Sequence, residues 1–237
     1  MDYSIKVNEV RSEKETNIRG YATVVFGGAF KIDNVAILEN KQTQQLFVAM
    51  PRYRTNERDT YNNAIYKDVC HPITAEFREK LYGDILNAYQ QQVKERKGEP
   101  VKDSDVKEPE FSVRVMPYER EGSKIKGLAS ICLEDSFVIN NVNIYQGKEA
   151  DVFVTMPSSR TNKVDGKGDP IYKDVCYPVT KEFREKLYGE IVSTYNRERE
   201  QKQERTGKEP EKGAAKEAAA KSKPAIDFKK KSSAKTR

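Results

Sequence analysis

Two clusters of arginine, lysine and tyrosine are the places in this 237-residue chain where residue types and spacing suggest chemistry. One holds Arg52, Tyr53, Arg54, Arg58, Tyr61, Tyr66 and Lys67; the other holds Arg160, Lys163, Lys167, Tyr172 and Lys173. Guanidinium and ammonium groups neutralise phosphates, and tyrosine rings stack on exposed bases, so such clusters suit a nucleic acid. Glu57, Asp59, Asp165 and Asp169 lie in the same stretches and weaken the positive field, which leaves a solvated polar loop as the competing reading. Arg78 and Lys80 recur as Arg184 and Lys186, each pair among glutamates. They read either as a salt-bridged helix face or as phosphate contacts.

Charge is placed unevenly. The net charge is +6, and residues 212–237 carry nine Lys or Arg against Glu217 and Asp227, so the rest of the chain is close to neutral. This terminal stretch, with Lys229, Lys230 and Lys231 in a row, is too polar to bury a core. We expect residues 203–237 to be largely disordered and to add salt-sensitive affinity for nucleic acid.

Catalytic chemistry finds little support. His71 is the single histidine, and Tyr177 stands at its place in the repeat described next, so no histidine chemistry is common to both halves. His71 and Cys70 are too few for a zinc site, and they read as packed residues before a proline. No phosphate-binding glycine motif, paired metal ligands or serine-nucleophile signature is present. We expect no enzyme, no cofactor, no metal and no small-molecule substrate. The three cysteines are far apart and read as reduced thiols. No run of about 20 apolar residues occurs, and the start lacks the pattern of a secretory signal, so a cytoplasmic protein that does not enter membranes is expected.

The elements that position these clusters come in duplicate. Ile65–Gly83 and Ile171–Gly189 are identical at 16 of 19 positions. Upstream, Ile18-Arg19-Gly20-Tyr21-Ala22-Thr23 matches Ile125-Lys126-Gly127-Leu128-Ala129-Ser130. The boundaries read as copy one over 1–96, a charged Gly/Pro linker over 97–108, copy two over 109–202 and the tail over 203–237. Hydrophobic residues make up 36% and charged residues 34%, which favours two small cores over one large one.

Within each copy, period-two alternation predicts strands over 3–10, 18–26 and 30–37, and over 111–115, 125–133 and 137–144. The buried parity switches in mid-strand, from Phe30 and Ile32 to Val35 and Ile37, and from Phe137 and Ile139 to Val142 and Ile144. That switch predicts a β-bulge at Asp33-Asn34 and at Asn140-Asn141. Short strands follow at Leu46–Met50 and Val152–Met156, then a long loop. Thr74 and Thr180 are then placed to cap helices whose apolar residues recur every four: Phe77, Leu81, Ile85, Tyr89, and Phe183, Leu187, Ile191, Tyr195. The fold class is α+β, two tandem modules, each an antiparallel sheet of four to five strands followed by a helix.

Phe47-Val48-Ala49-Met50-Pro51, then Arg54-Thr55, then Asp68-Val69-Cys70-His71-Pro72-Ile73, resembles the SpoVG family. Copy two keeps the frame in Phe153-Val154-Thr155-Met156-Pro157, Arg160-Thr161 and Asp174-Val175-Cys176-Tyr177-Pro178-Val179. Tyr53 and Ser159 stand where the family commonly has a lysine. The resemblance implies a bacterial cytoplasmic regulator that binds DNA and RNA, pairs through its sheet, and is linked to septation and sporulation. It turns the balance at the Arg-Thr stretches toward nucleic-acid contact. The candidate residues are Arg52, Arg54, Thr55, Lys67, Arg78, Arg160, Thr161, Lys173, Arg184, Lys229, Lys230 and Lys231, with Arg54 and Arg160 foremost. Fusion raises the effective concentration of one copy at the other, so we expect an intrachain pseudo-dimer with a continuous sheet, with a homo-oligomer as the alternative. A protein-interaction adaptor without nucleic-acid contact is the alternative.

Overall fold

The computed structural model describes residues 1–10, 16–95, 107–118, 122–147 and 151–206. Most of the expected linker, and the tail beyond 206 with Lys229, Lys230 and Lys231, lie outside the described residues.

Copy one opens with β1 (Tyr3–Glu9), β2 (Ile18–Phe26), β3 (Phe30–Glu39) and β4 (Leu46–Ala49), all antiparallel in the order they occur. Alternation buries Gly20, Ala22, Val24 and Phe26 on one face of β2. In copy two the same parts are β8 (Phe111–Pro117), β9 (Ile125–Leu133), β10 (Phe137–Gln146) and β11 (Val152–Thr155). The expected bulges are present. Pairing jumps from Ala22↔Val35 to Val24↔Ile32, and from Ala129↔Val142 to Ile131↔Ile139. Asn34 and Asn141 take the strain at φ 63° and 60°, a conformation that asparagine tolerates better than most residues.

Helix α1 (Ala75–Glu95) lies on β1 and β4, and α2 (Lys181–Thr206) on β8 and β11. α2 runs four residues past the boundary expected at 202. The Thr74 and Thr180 hydroxyls accept the N–H groups of Phe77 and Phe183, both at 3.2 Å, as the caps required. Leu81 and Ile85, and Phe183, Leu187, Ile191 and Tyr195, are buried. Gly127 is in β9 because the Tyr195 ring presses on it: a Cβ there would stand 3.1 Å from that ring.

The segment expected to be a loop is ordered into strands. β5 (Arg52–Arg58) and β6 (Ala64–Asp68) form a two-stranded hairpin, as do β12 (Ser158–Val164) and β13 (Pro170–Asp174). The turns explain the acidic residues of these stretches. Asp59 Oδ1 accepts the N–H groups of Tyr61 and Asn63, and Asp165 Oδ1 accepts those of Lys167 and Asp169. These carboxylates are spent on closing the turn.

Each hairpin is followed by a three-residue strand, β7 (Cys70–Pro72) and β14 (Cys176–Pro178), and here the copies exchange. β7 of copy one pairs with β10 of copy two, and β14 of copy two pairs with β3 of copy one. The bulges receive the exchanged strands: the Asn140 N–H donates to the Val69 carbonyl, and the Asp33 N–H to the Val175 carbonyl, both at 2.8 Å. A bulge turns one N–H out of its own ladder, and burial demands that it find another acceptor. The copies therefore do not merge into one continuous sheet. They form two five-stranded sheets, each completed by a strand from the other copy.

The cores merge with the strands. Phe26 of copy one and Phe137 of copy two are both fully buried, as are Phe30 and Phe183. Their ring centroids are 5.0 Å and 6.5 Å apart, respectively. Burying a side chain of this size contributes roughly 1.5–3 kcal/mol, so the shared rings bind the halves firmly.

Candidate functional site

A hairpin has two faces, and the candidate residues divide between them. Arg54 pairs across the strands with Tyr66, and Arg160 with Tyr172. Side chains directly opposite in an antiparallel pair share a face, so each arginine stands beside a tyrosine. All four are exposed, Tyr66 at 58% and Tyr172 at 61%. Among the described residues neither the Arg54 nor the Arg160 side chain has a hydrogen bond or ion pair.

Arg52 shares the outward face of Arg54 but is engaged, with its Nε 3.0 Å from Asp68 Oδ1. Copy two has Ser158 in that place, opposite Asp174, so the arginine–aspartate pair is not repeated there. Burial raises the Asp174 carboxyl above its ordinary value, opposed by Arg184. Thr55 and Thr161 serve the hairpins themselves: their hydroxyls donate to the carbonyls of Ile65 at 3.0 Å and Ile171 at 2.8 Å. Arg78 and Arg184 reach back from the helix starts to the carbonyls of Pro72 at 3.1 Å and Pro178 at 3.2 Å. They tie each helix to its exchanged strand.

Lys67 and Lys173 lie on the opposite hairpin face, beside Tyr53 and Ser159. This face meets the other copy's sheet: Tyr53 and Lys67 line a hollow with Arg114 and Ser130 of copy two, and Lys173 meets Asp33 of copy one. Lys67 is 3.8 Å from Glu57, both well exposed. Lys173 reaches across to Asp33 Oδ2 at 3.6 Å, and the Asp33 side chain is only 7% exposed. Lys31 Nζ is 3.3 Å from Asp33 Oδ1, and the Thr23 hydroxyl donates to the same oxygen at 2.9 Å. Burial works against the Lys31 charge, but the Tyr177 hydroxyl and Asp33 outweigh it and hold its ammonium above the ordinary value.

Sequence reasoning passed over Asp33, Lys31 and Arg114. The signal was faintly there. Aligning the copies sets Asp33 against Asn140, Lys31 against Val138 and Lys6 against Arg114. Without the exchange, nothing in the sequence puts a copy-two hairpin lysine next to a copy-one carboxylate.

The thiols are structural. Cys70 and Cys176 are fully buried, and burial pushes the Cys176 thiol up to about 12. Among the described residues no group of three or more His, Cys, Asp or Glu could hold a metal ion. No helix among them is long and apolar enough to cross a membrane.

Fold and site together define a tandem α+β protein whose two copies complete each other's sheets and each present an arginine-tyrosine hairpin. The chain belongs to the SpoVG family, whose model matches residues 2–91 and 109–197. The two matches establish it as a tandem duplication of the family module. Relatives match one copy's length. A "Putative septation protein SpoVG" of Agathobacter rectalis is 33% identical over 86 residues, 36% of this chain and 90% of the relative. The protein of that name in Heliobacterium modesticaldum is 36% identical over 88 residues, again 36% of this chain and 90% of the relative. In Clostridium beijerinckii it is 32% identical over 94 residues, 38% of this chain and 94% of the relative.

Proposed function

We propose that this chain is a cytoplasmic regulator that binds nucleic acid through its two outward arginine-tyrosine hairpins, acting as an intrachain pseudo-dimer. The observation that carries this reading is the repeated pair Arg54–Tyr66 and Arg160–Tyr172, exposed in both copies with the guanidiniums unpaired among the described residues. An unpaired guanidinium has no internal bond to give up when it meets a phosphate, and a tyrosine beside it offers a stacking face. Arg52, Arg78 and Arg184 have their internal partners and become lesser contributors. We take the biological role to be the one that the relatives' name gives, septation, exercised through binding rather than catalysis.

The test is affinity for DNA and RNA across a salt series, with the full chain and with a chain ending at residue 206. The shorter chain is expected to bind with a smaller salt dependence, because the lysine-rich terminus is gone. Replacing Arg54 and Arg160 with alanine should lower the slope by about 2 more, one for each phosphate no longer neutralised. No binding by the shorter chain at low salt would overturn the reading.

An adaptor role is the second reading. Phe47 on β4 and Phe153 on β11 are 43% and 49% exposed at matching places, where a protein partner could dock. Capture of a partner that survives nuclease treatment would favour it.

A further inference from the structure

The surfaces beneath the two hairpins are related by the repeat but differ in chemistry. The first lies between the copy-one hairpin and the copy-two sheet, about 510 Å³, with Tyr53, Lys67 and Asp68 on one wall, the Asp68 carboxylate engaged by Arg52, and Arg114, Ser130 and Asn140 on the other. Arg114 is exposed and has no hydrogen bond or ion pair among the described residues. The bond of Lys67 to exposed Glu57 is of the kind worth little in water, so a phosphate can displace it. At the corresponding place beneath the copy-two hairpin, Lys173 and Lys31 both converge on the buried Asp33 carboxylate. Those cations are occupied by an internal anion that cannot leave. In the first cleft Asn140 replaces that aspartate, and its Oδ1 accepts from the Ser130 hydroxyl at 3.0 Å.

A second difference is independent of charge. The first cleft shares Tyr53 and Asn141 with a neighbouring hollow of about 590 Å³ that holds Tyr145, Phe153 and Tyr172. Tyr145 and Phe153 stack with centroids 5.7 Å apart and planes 17° from parallel. Leu38, paired with Phe47, occupies the place of Tyr145 in copy one, so that sheet has no such aromatic pair.

We propose that the chain has one trough for a single nucleic-acid strand, on the copy-two sheet, where Lys67 and Arg114 hold a phosphate and the Tyr145–Phe153 stack receives an unpaired base. This extends the reading above and rests on its claim that the chain binds nucleic acid, not on which hairpin face does so. Cations beside stacked aromatics select a strand with free bases, because a duplex hides its π faces. Beneath the copy-two hairpin the ammonium groups of Lys31 and Lys173 are already engaged by the buried Asp33 carboxylate, and that pairing contributes structure. One strand therefore binds per chain, although the chain contains two copies.

The experiment uses the full chain, with a labelled single-stranded oligothymidylate and a duplex of equal length as probes. Lys67→Ala with Arg114→Ala should weaken single-strand binding about tenfold at low salt and lower its salt slope by about 2. Lys6→Ala, at the counterpart of Arg114, should leave it unchanged. Tyr145→Leu, which copies the first module, should cost about fivefold or more for the single strand and nothing for the duplex. Titration should end at one strand per chain. Circular dichroism on every variant, the half-buried Tyr145 included, checks that the fold stays intact. Equal losses from Arg114→Ala and Lys6→Ala, equal losses on both probes from Tyr145→Leu, or two strands per chain would each overturn the trough. Arg54→Ala separates the hairpin from the trough, because Tyr172 beside Arg160 itself borders the hollow. If Arg54→Ala loses binding while the trough variants do not, the hairpin reading stands and the trough falls. If the trough variants lose binding and Arg54→Ala does not, the chain binds nucleic acid through the trough and not through the copy-one hairpin.

Discussion

Phe26 and Phe137 set their rings 5.0 Å apart at an angle of 49°, and they come from different copies of the repeat. Both are fully buried. Neither module has a core that ends at its own boundary, so the halves are expected to unfold as one. Phe137→Ala should cost about 3–5 kcal/mol and leave a single transition. Denaturant melts followed by helix signal and by tyrosine fluorescence should coincide before and after the change. Two separated transitions would show that the halves are independent.

The reciprocal pairing of β7 with β10 and β14 with β3 satisfies within one chain the edges that a separate module would leave open. The full chain is expected to sediment as a monomer. A chain cut down to residues 1–95 has no β14 for the Phe30–Ile32 edge of β3, and it should self-associate to obtain a substitute strand. Sedimentation equilibrium over a concentration series distinguishes these outcomes.

Thr74 and Thr180 each give one hydroxyl to a helix start. Replacing either with alanine should lower stability by about 1 kcal/mol, and because each hydroxyl bonds only within its own helix start the two losses should add. Serine at the same positions should restore most of the loss. Equilibrium unfolding measures each step.

The buried thiols set an alkaline limit. The Cys176 thiol is raised from 9.0 to about 12, and Cys70 is raised well above 9.0, both by burial. Below pH 9 both folded and unfolded chains keep these protons, so the thiols leave stability unchanged. Above pH 9 the unfolded chain loses them first, so stability falls as the pH rises, for Cys176 up to about pH 12. Cys176→Ala should flatten that decline, read from melts at stepped pH. In the native protein a thiol reagent should modify the half-buried Cys132 before the other two.

Much of the fold was legible from local pattern. The alternation at Gly20, Ala22, Val24 and Phe26 placed a strand face, and the parity switch around Asp33 and Asn34 located a bulge. Thr74 and Thr180 marked helix starts. The hairpins were less visible. Their strands are short and polar on both faces, and the turns depend on Asp59 and Asp165 reaching their own backbone. The candidate site was read as one surface because Arg54 and Lys67 are close in sequence, whereas strand pairing puts them on opposite faces.

The residues by themselves determined the duplication, the sheet-and-helix modules, the caps and the presence of paired arginines. They did so because each depends on neighbours within a few turns or a single strand. Tertiary structure alone decided where Cys70–Pro72 and Cys176–Pro178 would pair. Period two tells a strand which side to bury but not which edge to join, and two near-identical strands fit either sheet equally well. That choice brings Lys173 to Asp33 and leaves the Arg114 side chain open, and so makes the surfaces beneath the two hairpins unlike.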